Sequence, residues 1–178
     1  EKPSATGWGT KMNFGELMQE FDQSGSWVKD VDWAPSGNRM AFTGHDSSLT
    51  VIDVSGGSIE AQTVKFPDLP FQQIKFLSED QIVGAGHENN PTLFQNSGGW
   101  KYVKKLDEPK QAGGKATQSA FDVFKNKVEV GQDTQTSTLA TKHQNSINFL
   151  QVIKSGDKIT GYSTSGTDGL LITWDLPK

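Results

Sequence analysis

Apolar residues along this chain alternate with polar ones at period two, in short runs broken by turn residues. Val31 and Trp33, Met40 and Phe42, and Leu49 and Val51 each fall on one face of an extended segment, which predicts three consecutive strands. Pro35, Ser36, Gly37 and Asn38 mark the first turn between them, and His45, Asp46 and Ser47 the second. Ile74 and Phe76, Ile82 and Val83, and Leu93 repeat the arrangement. A turn at Asn96, Ser97, Gly98 and Gly99 and a fourth strand from Trp100 to Leu106 follow. Three inner strands and an outer one make each unit.

The units are self-similar. Ser26–Ser55, Leu69–Ser97 and Asn145–Lys178 align on Gly44-His45-Asp46, Gly86-His87-Glu88 and Gly166-Thr167-Asp168. Each is followed at a constant interval by Ile52-Asp53, Phe94-Gln95 and Trp174-Asp175. Gly44 and Gly86 stand 42 residues apart, and Gly86 and Gly166 stand 80 apart. A repeat of about 42 residues is therefore interrupted once, by about 38 extra ones. That period with a terminal Trp-Asp is the signature of a WD-repeat blade. The expected fold is an all-β WD-repeat β-propeller, with blades at 26–68, 69–106 and 145–178 and an insert at 107–144. Residues 1–25 read as a linker, with the outer strand of a preceding blade at Phe14–Phe21. Three blades do not close a propeller, which takes about 4–8. The chain is thus expected to be the C-terminal part of a longer ring.

The last unit holds the side chains for a buried polar chain within a blade: His143, Thr164, Asp168 and Trp174. A hydrolytic triad can be drawn from the same residue types, but geometry rather than co-occurrence makes a triad, and the structural reading is preferred. His45 and His87, beside Asp46 and Glu88, suggest a metal site by residue type. They recur once per blade, which favours a role in the turn. Gly37, Gly56, Gly57, Gly98, Gly99, Gly156 and Gly169 fall where turns call for positive φ. No phosphate-binding glycine motif is present, so neither catalysis nor a cofactor is expected.

Charge and composition narrow the classes. A net charge of −4 leaves no basic surplus for a nucleic acid, and no apolar run reaches the about 20 residues of a membrane helix. Absence of cysteine excludes a disulfide framework and a thiolate zinc site.

The insert is mostly polar, with one exception. Ala120, Phe121, Phe124 and Val128 line one face of a short amphipathic helix, with Thr117 or Ser119 as N-cap. Two phenylalanines on such a helix call for a groove, and docking to a partner is preferred to folding back on the blade.

Several strings are specific. Thr6, Gly7, Trp8, Lys11, Met12, Phe14, Gly15, Glu16, Leu17 and Met18 open the chain. Leu106, Pro109, Lys110 and Gln111 lead into the insert, and Lys142, His143, Asn145, Ser146 and Ile147 leave it. With these the chain resembles, along its whole length, the WD-repeat subunit 1 family of the actin-related protein 2/3 complex. The resemblance implies blades five to seven of a seven-bladed propeller. It implies a non-enzymatic scaffold that packs on the other subunits, supports nucleation and branching of actin filaments, and receives nucleation-promoting factors. It places the chain in the cytoplasm, at the actin cytoskeleton of the cell cortex and actin patches. The inserted helix would contact the mother actin filament through Phe121 and Phe124, flanked by Val123 and Val128. The competing class is another WD-repeat adaptor, one that presents substrates to a ubiquitin ligase or reads chromatin.

Overall fold

Short turns join neighbours in sequence, and each strand therefore pairs antiparallel with the next. A computed structural model describes residues 7–9, 14–107 and 139–177. Among them every regular element is a strand: β1 Val28–Trp33, β2 Arg39–Gly44, β3 Ser48–Asp53, β4 Glu60–Lys65, β5 Phe71–Ser78, β6 Gln81–Gly86, β7 Thr92–Asn96, β8 Trp100–Lys105, β9 Ile147–Ser155, β10 Lys158–Gly166 and β11 Leu171–Asp175. They form sheets in the orders β1-β2-β3-β4, β5-β6-β7-β8 and β11-β10-β9. Strand β1 packs against β5, and β5 against β9. The three sheets are consecutive propeller blades with these three strands innermost. The third blade has three strands among the described residues.

Period two assigns each side chain to one gap between blades. Leu49 and Val51 of the first blade meet Ile74, Phe76 and Phe94 of the second in one buried cluster. On the opposite face of the second blade, Val83 and Ala85 meet Ile147, Leu150 and Tyr162 of the third. Strand β6 is thus buried on both faces and reads as a continuous apolar run, Ile82 to Ala85, rather than as an alternation.

Polar side chains stitch blade to blade. The innermost strand of a blade offers an unpaired backbone edge, and donors on it need acceptors. Asp30 accepts from the Ile74 amide at 3.0 Å and Asp32 from the Phe76 amide at 2.7 Å; both carboxylates also face the Lys75 ammonium at 3.4 Å. Gln73 repeats the device one blade on, accepting from the Leu150 amide at 2.6 Å. At the outer rim the Gln62 carboxamide on β4 bonds both backbone groups of Trp100 on β8.

Two features differ from the sequence reading. Residues 14–27 contain no strand, so the outer strand expected at Phe14–Phe21 is absent. A strand needs a neighbour's backbone to pair with, and among the described residues none lies alongside; Phe14 and Leu17 stand in solvent. Trp8 instead covers the outward face of the first blade. It packs with Phe42, Ile52 and Val54, meets Trp33 edge-on at 4.9 Å, and donates from its indole to the Gly37 carbonyl at 2.7 Å.

The glycine anchor has a steric cause. A Cβ on Gly86 would stand 2.4 Å from the Gln72 amide nitrogen, and one on Gly166 would stand 2.9 Å from the His143 ring. The chain crosses itself too closely there for any side chain.

Candidate functional site

The third blade gathers all four residues singled out for the buried chain. The Trp174 indole donates to Thr164 Oγ1 at 2.8 Å. Thr164 Oγ1 lies 2.8 Å from His143 Nε2, and His143 Nδ1 lies 2.8 Å from Asp168 Oδ2. One proton arrangement satisfies every atom. Indole N–H donates to the hydroxyl, the hydroxyl to Nε2, and Nδ1–H to the carboxylate, which makes the imidazole neutral with its proton on Nδ1. Asp168 also accepts from the amides of Gln144 at 2.8 Å and Leu170 at 3.0 Å. Burial pushes its carboxyl up, but those two amides and the histidine outweigh burial and hold it below the ordinary 3.8.

Thr164, His143 and Asp168 have the connectivity of a hydrolytic triad. His143 is 0% and Thr164 1% exposed, and the hydroxyl is already engaged by Trp174. A nucleophile needs room for a substrate on its free side. The group ties the entry segment, the β10–β11 turn and β11 into one unit.

The other two blades replace this chain with apolar packing. The position of Thr164, four residues before the turn acid, is Phe42 in the first blade and Gly84 in the second. The position of Trp174 is Ile52 and Phe94. In the second blade the Phe71 ring takes the space beside Gly84, where a Cβ would come within 2.6 Å of it. Phe71 stacks on Phe66 at 4.3 Å and meets Phe94 edge-on at 5.8 Å. In the first blade Asp46 keeps its place but binds Ser26, Ser48 and Lys65. The lysine and then Ser48 hold its carboxyl far below the ordinary range.

The insert is rooted on this framework. Phe121, Val123, Phe124 and Val128, expected to carry a docking helix, lie outside the described residues. Its two ends are described. Asn90 and Asp107 bond reciprocally: the Asn90 carboxamide donates to the Asp107 carbonyl at 3.1 Å and accepts from its amide at 2.9 Å. The Asp107 carboxylate accepts from the Lys142 amide. Asn89 donates to the Thr141 hydroxyl and to the His143 carbonyl, the latter at 3.2 Å. Lys142 then lies over the Trp174 ring, 4.2 Å from its centre. The clasp closes residues 107 and 142 onto one base beside the His143 chain. Sequence reasoning gave Asn89, Asn90 and Asp107 no place in a site. The one available signal was that the pair Asn89-Asn90 occupies the turn following the second Gly-His anchor.

No family model matches the chain. Among curated proteins it is similar to actin-related protein 2/3 complex subunit 1A-B of Xenopus laevis, at 40% identity over 184 residues, which covers 99% of this chain and 49% of that protein. Subunit 1A of the same complex from Arabidopsis thaliana is 35% identical over 187 residues, 98% of this chain and 49% of that protein. Subunit 1 from Schizosaccharomyces pombe is 33% identical over 196 residues, 98% of this chain and 52% of that protein. The chain spans about half the length of the curated relatives it matches.

Proposed function

We propose that this chain, homologous along nearly its whole length to about half of subunit 1 of the actin-related protein 2/3 complex, is a propeller segment of such a subunit and works as a non-enzymatic scaffold within that complex. The observation that carries this reading is the extent of the similarity. Identities of 33–40% are found over alignments that span 98–99% of the chain in frog, plant and fission yeast relatives alike. The blades support it physically. They interlock through apolar gaps and side-chain stitches, and the triad-like constellation of Thr164, His143 and Asp168 is sealed.

The finer part of the proposal concerns the insert. Phe121 and Phe124, with Val123 and Val128 beside them, form an apolar contact with the mother actin filament, and the scaffold takes part in receiving nucleation-promoting factors. Support comes from the apolar spacing in a polar segment and from the clasp that mounts both its ends on the second and third blades. The actin cytoskeleton, at the cell cortex and in actin patches, follows as the place of work.

The test is affinity purification of the tagged intact protein from its own cells, with mass spectrometry of stoichiometric companions. Two actin-related proteins and small companion subunits are the expected result. A ubiquitin-ligase or chromatin assembly in their place overturns the scaffold reading while leaving the propeller standing.

A further inference from the structure

The turns that carry the glycine anchor share one backbone contact. The amide after each glycine donates to a carbonyl in the segment entering the blade: His45 to Trp27 at 2.9 Å, His87 to Pro70 at 3.3 Å, and Thr167 to Ser146 at 3.0 Å. This is one fixed position repeated from blade to blade. In two adjacent blades it holds an imidazole, and both are exposed. Forty-two residues separate the histidines in sequence, yet equivalent points on adjacent blades are spatial neighbours, and their ring centres lie 6.5 Å apart at 81°. Recurrence by blade, which in sequence argues against a shared site, is what brings the rings together.

Three observations point to a ligand. Neither ring has a hydrogen-bond partner among the described residues, whereas both nitrogens of the third histidine, His143, are engaged. The Trp27 ring stacks on His45 at 5.6 Å and 26°, which puts an aromatic wall against the imidazole. The separation suits a bridging ion. A metal–nitrogen bond of about 2.0–2.1 Å puts the ion about 3.2 Å from a ring centre, so two ligating rings stand about 5.2 Å apart in tetrahedral and about 6.4 Å apart in linear geometry. The observed spacing is at the linear limit, and the exposed side chains can turn to close it.

We propose that His45 and His87 form an inter-blade site for a divalent transition metal of the zinc, nickel and copper group, the ions that neutral imidazole suits. No group of three or more histidines and carboxylates gathers around them among the described residues. Water therefore completes the shell, and the ion exchanges freely. The neighbouring carboxylates are committed elsewhere: Asp46 to Lys65, Ser26 and Ser48, and Glu88 to Lys105. They contribute field rather than bonds. Bound there, the ion staples the turn ends of two blades.

The test is titration of the intact protein with Cu²⁺ and Zn²⁺, beside its His45→Asn and His87→Asn variants. Cu²⁺ electron paramagnetic resonance on the native protein, which needs no variant, should show two imidazole nitrogens on one ion. Each single substitution should weaken binding on the order of tenfold or more, since loss of a mere outer-shell partner already costs about 10–100-fold. Cu²⁺ should quench Trp27 fluorescence, and Trp27→Phe should remove that quenching while leaving binding. A one-nitrogen spectrum, or affinity that either variant leaves unchanged, overturns the site.

Discussion

A fully buried imidazole must satisfy two nitrogens at once, and at His143 each partner is in turn satisfied by another residue. Replacing the middle of such a chain leaves the Thr164 hydroxyl and the Asp168 carboxylate short of a partner in a dry place. His143→Ala is expected to cost about 2–4 kcal/mol of stability, the range for breaking a buried polar network. Trp174→Phe keeps an aromatic body and removes one donor, and should cost about 1 kcal/mol. Chemical denaturation of both variants checks the order, and equal losses would mean that packing rather than the hydrogen-bond chain dominates. The acids predict a pH dependence. The carboxyls of Asp46, Asp53 and Asp168 are all held below their ordinary 3.8 in the folded protein. A depressed acid stabilises the fold above its unfolded value, and that stability is lost as pH falls through the folded value. Melting temperature should therefore be insensitive to these groups at neutral pH and fall once pH drops below about 4. Asp168→Asn should flatten part of that fall. Thr164, Asp168 and Trp174 could be picked out of the sequence because the repeat register fixes their spacing, with His143 just ahead of the third unit. The substitution of the same chain by Phe71, Phe66 and Phe94 in the second blade was not, since any core aromatic gives the same pattern.

Strands and turns of the blades were readable because period two and turn chemistry are local signals. The exceptions fail for a physical reason. Phe14–Phe21 places its apolar residues at Phe14, Leu17, Met18 and Phe21, which is not the alternation of a strand, and a strand is a relation to a neighbour that one segment's sequence does not record. Trp8 was not recognised as part of the core, since what it covers, Phe42 and Ile52, lies more than thirty residues away. The clasp at the insert's root was hidden likewise: Asn89 and Asn90 read as turn residues, and only the fold shows that they hold Asp107, Thr141 and His143. Asn90→Ala removes both reciprocal bonds to a buried backbone and should raise hydrogen exchange at the Asp107 and Lys142 amides. An opening free energy lower by about 1–3 kcal/mol is the expected size. Exchange in β1–β4 should stay as it was. Uniform loss of protection across all three blades would instead mean that Asn90 supports the fold as a whole.

Across the molecule the same logic is repeated at each blade boundary. One face supplies apolar side chains, and the inner strand supplies carboxylate or carboxamide acceptors for the next backbone edge, as Asp30 and Asp32 do for β5 and Gln73 does for β9. Such a stack transmits position without having to move. The insert is mounted between the second and third blades, so a contact made by it is referred to the whole scaffold. If its apolar residues serve a partner rather than the core, removing them should separate function from stability. Phe121→Ala with Phe124→Ala in the intact protein should leave the melting temperature within about 2–4 °C, the shift that about 1 kcal/mol gives in a domain of this size. The complex should still assemble, while branch formation on pre-existing actin filaments falls several-fold. A melting temperature lower by far more than that, with branching reduced only in proportion to folded protein, would place the two rings in a core. Unchanged branching with unchanged stability would remove the insert from the filament contact and leave the scaffold role to the blades alone.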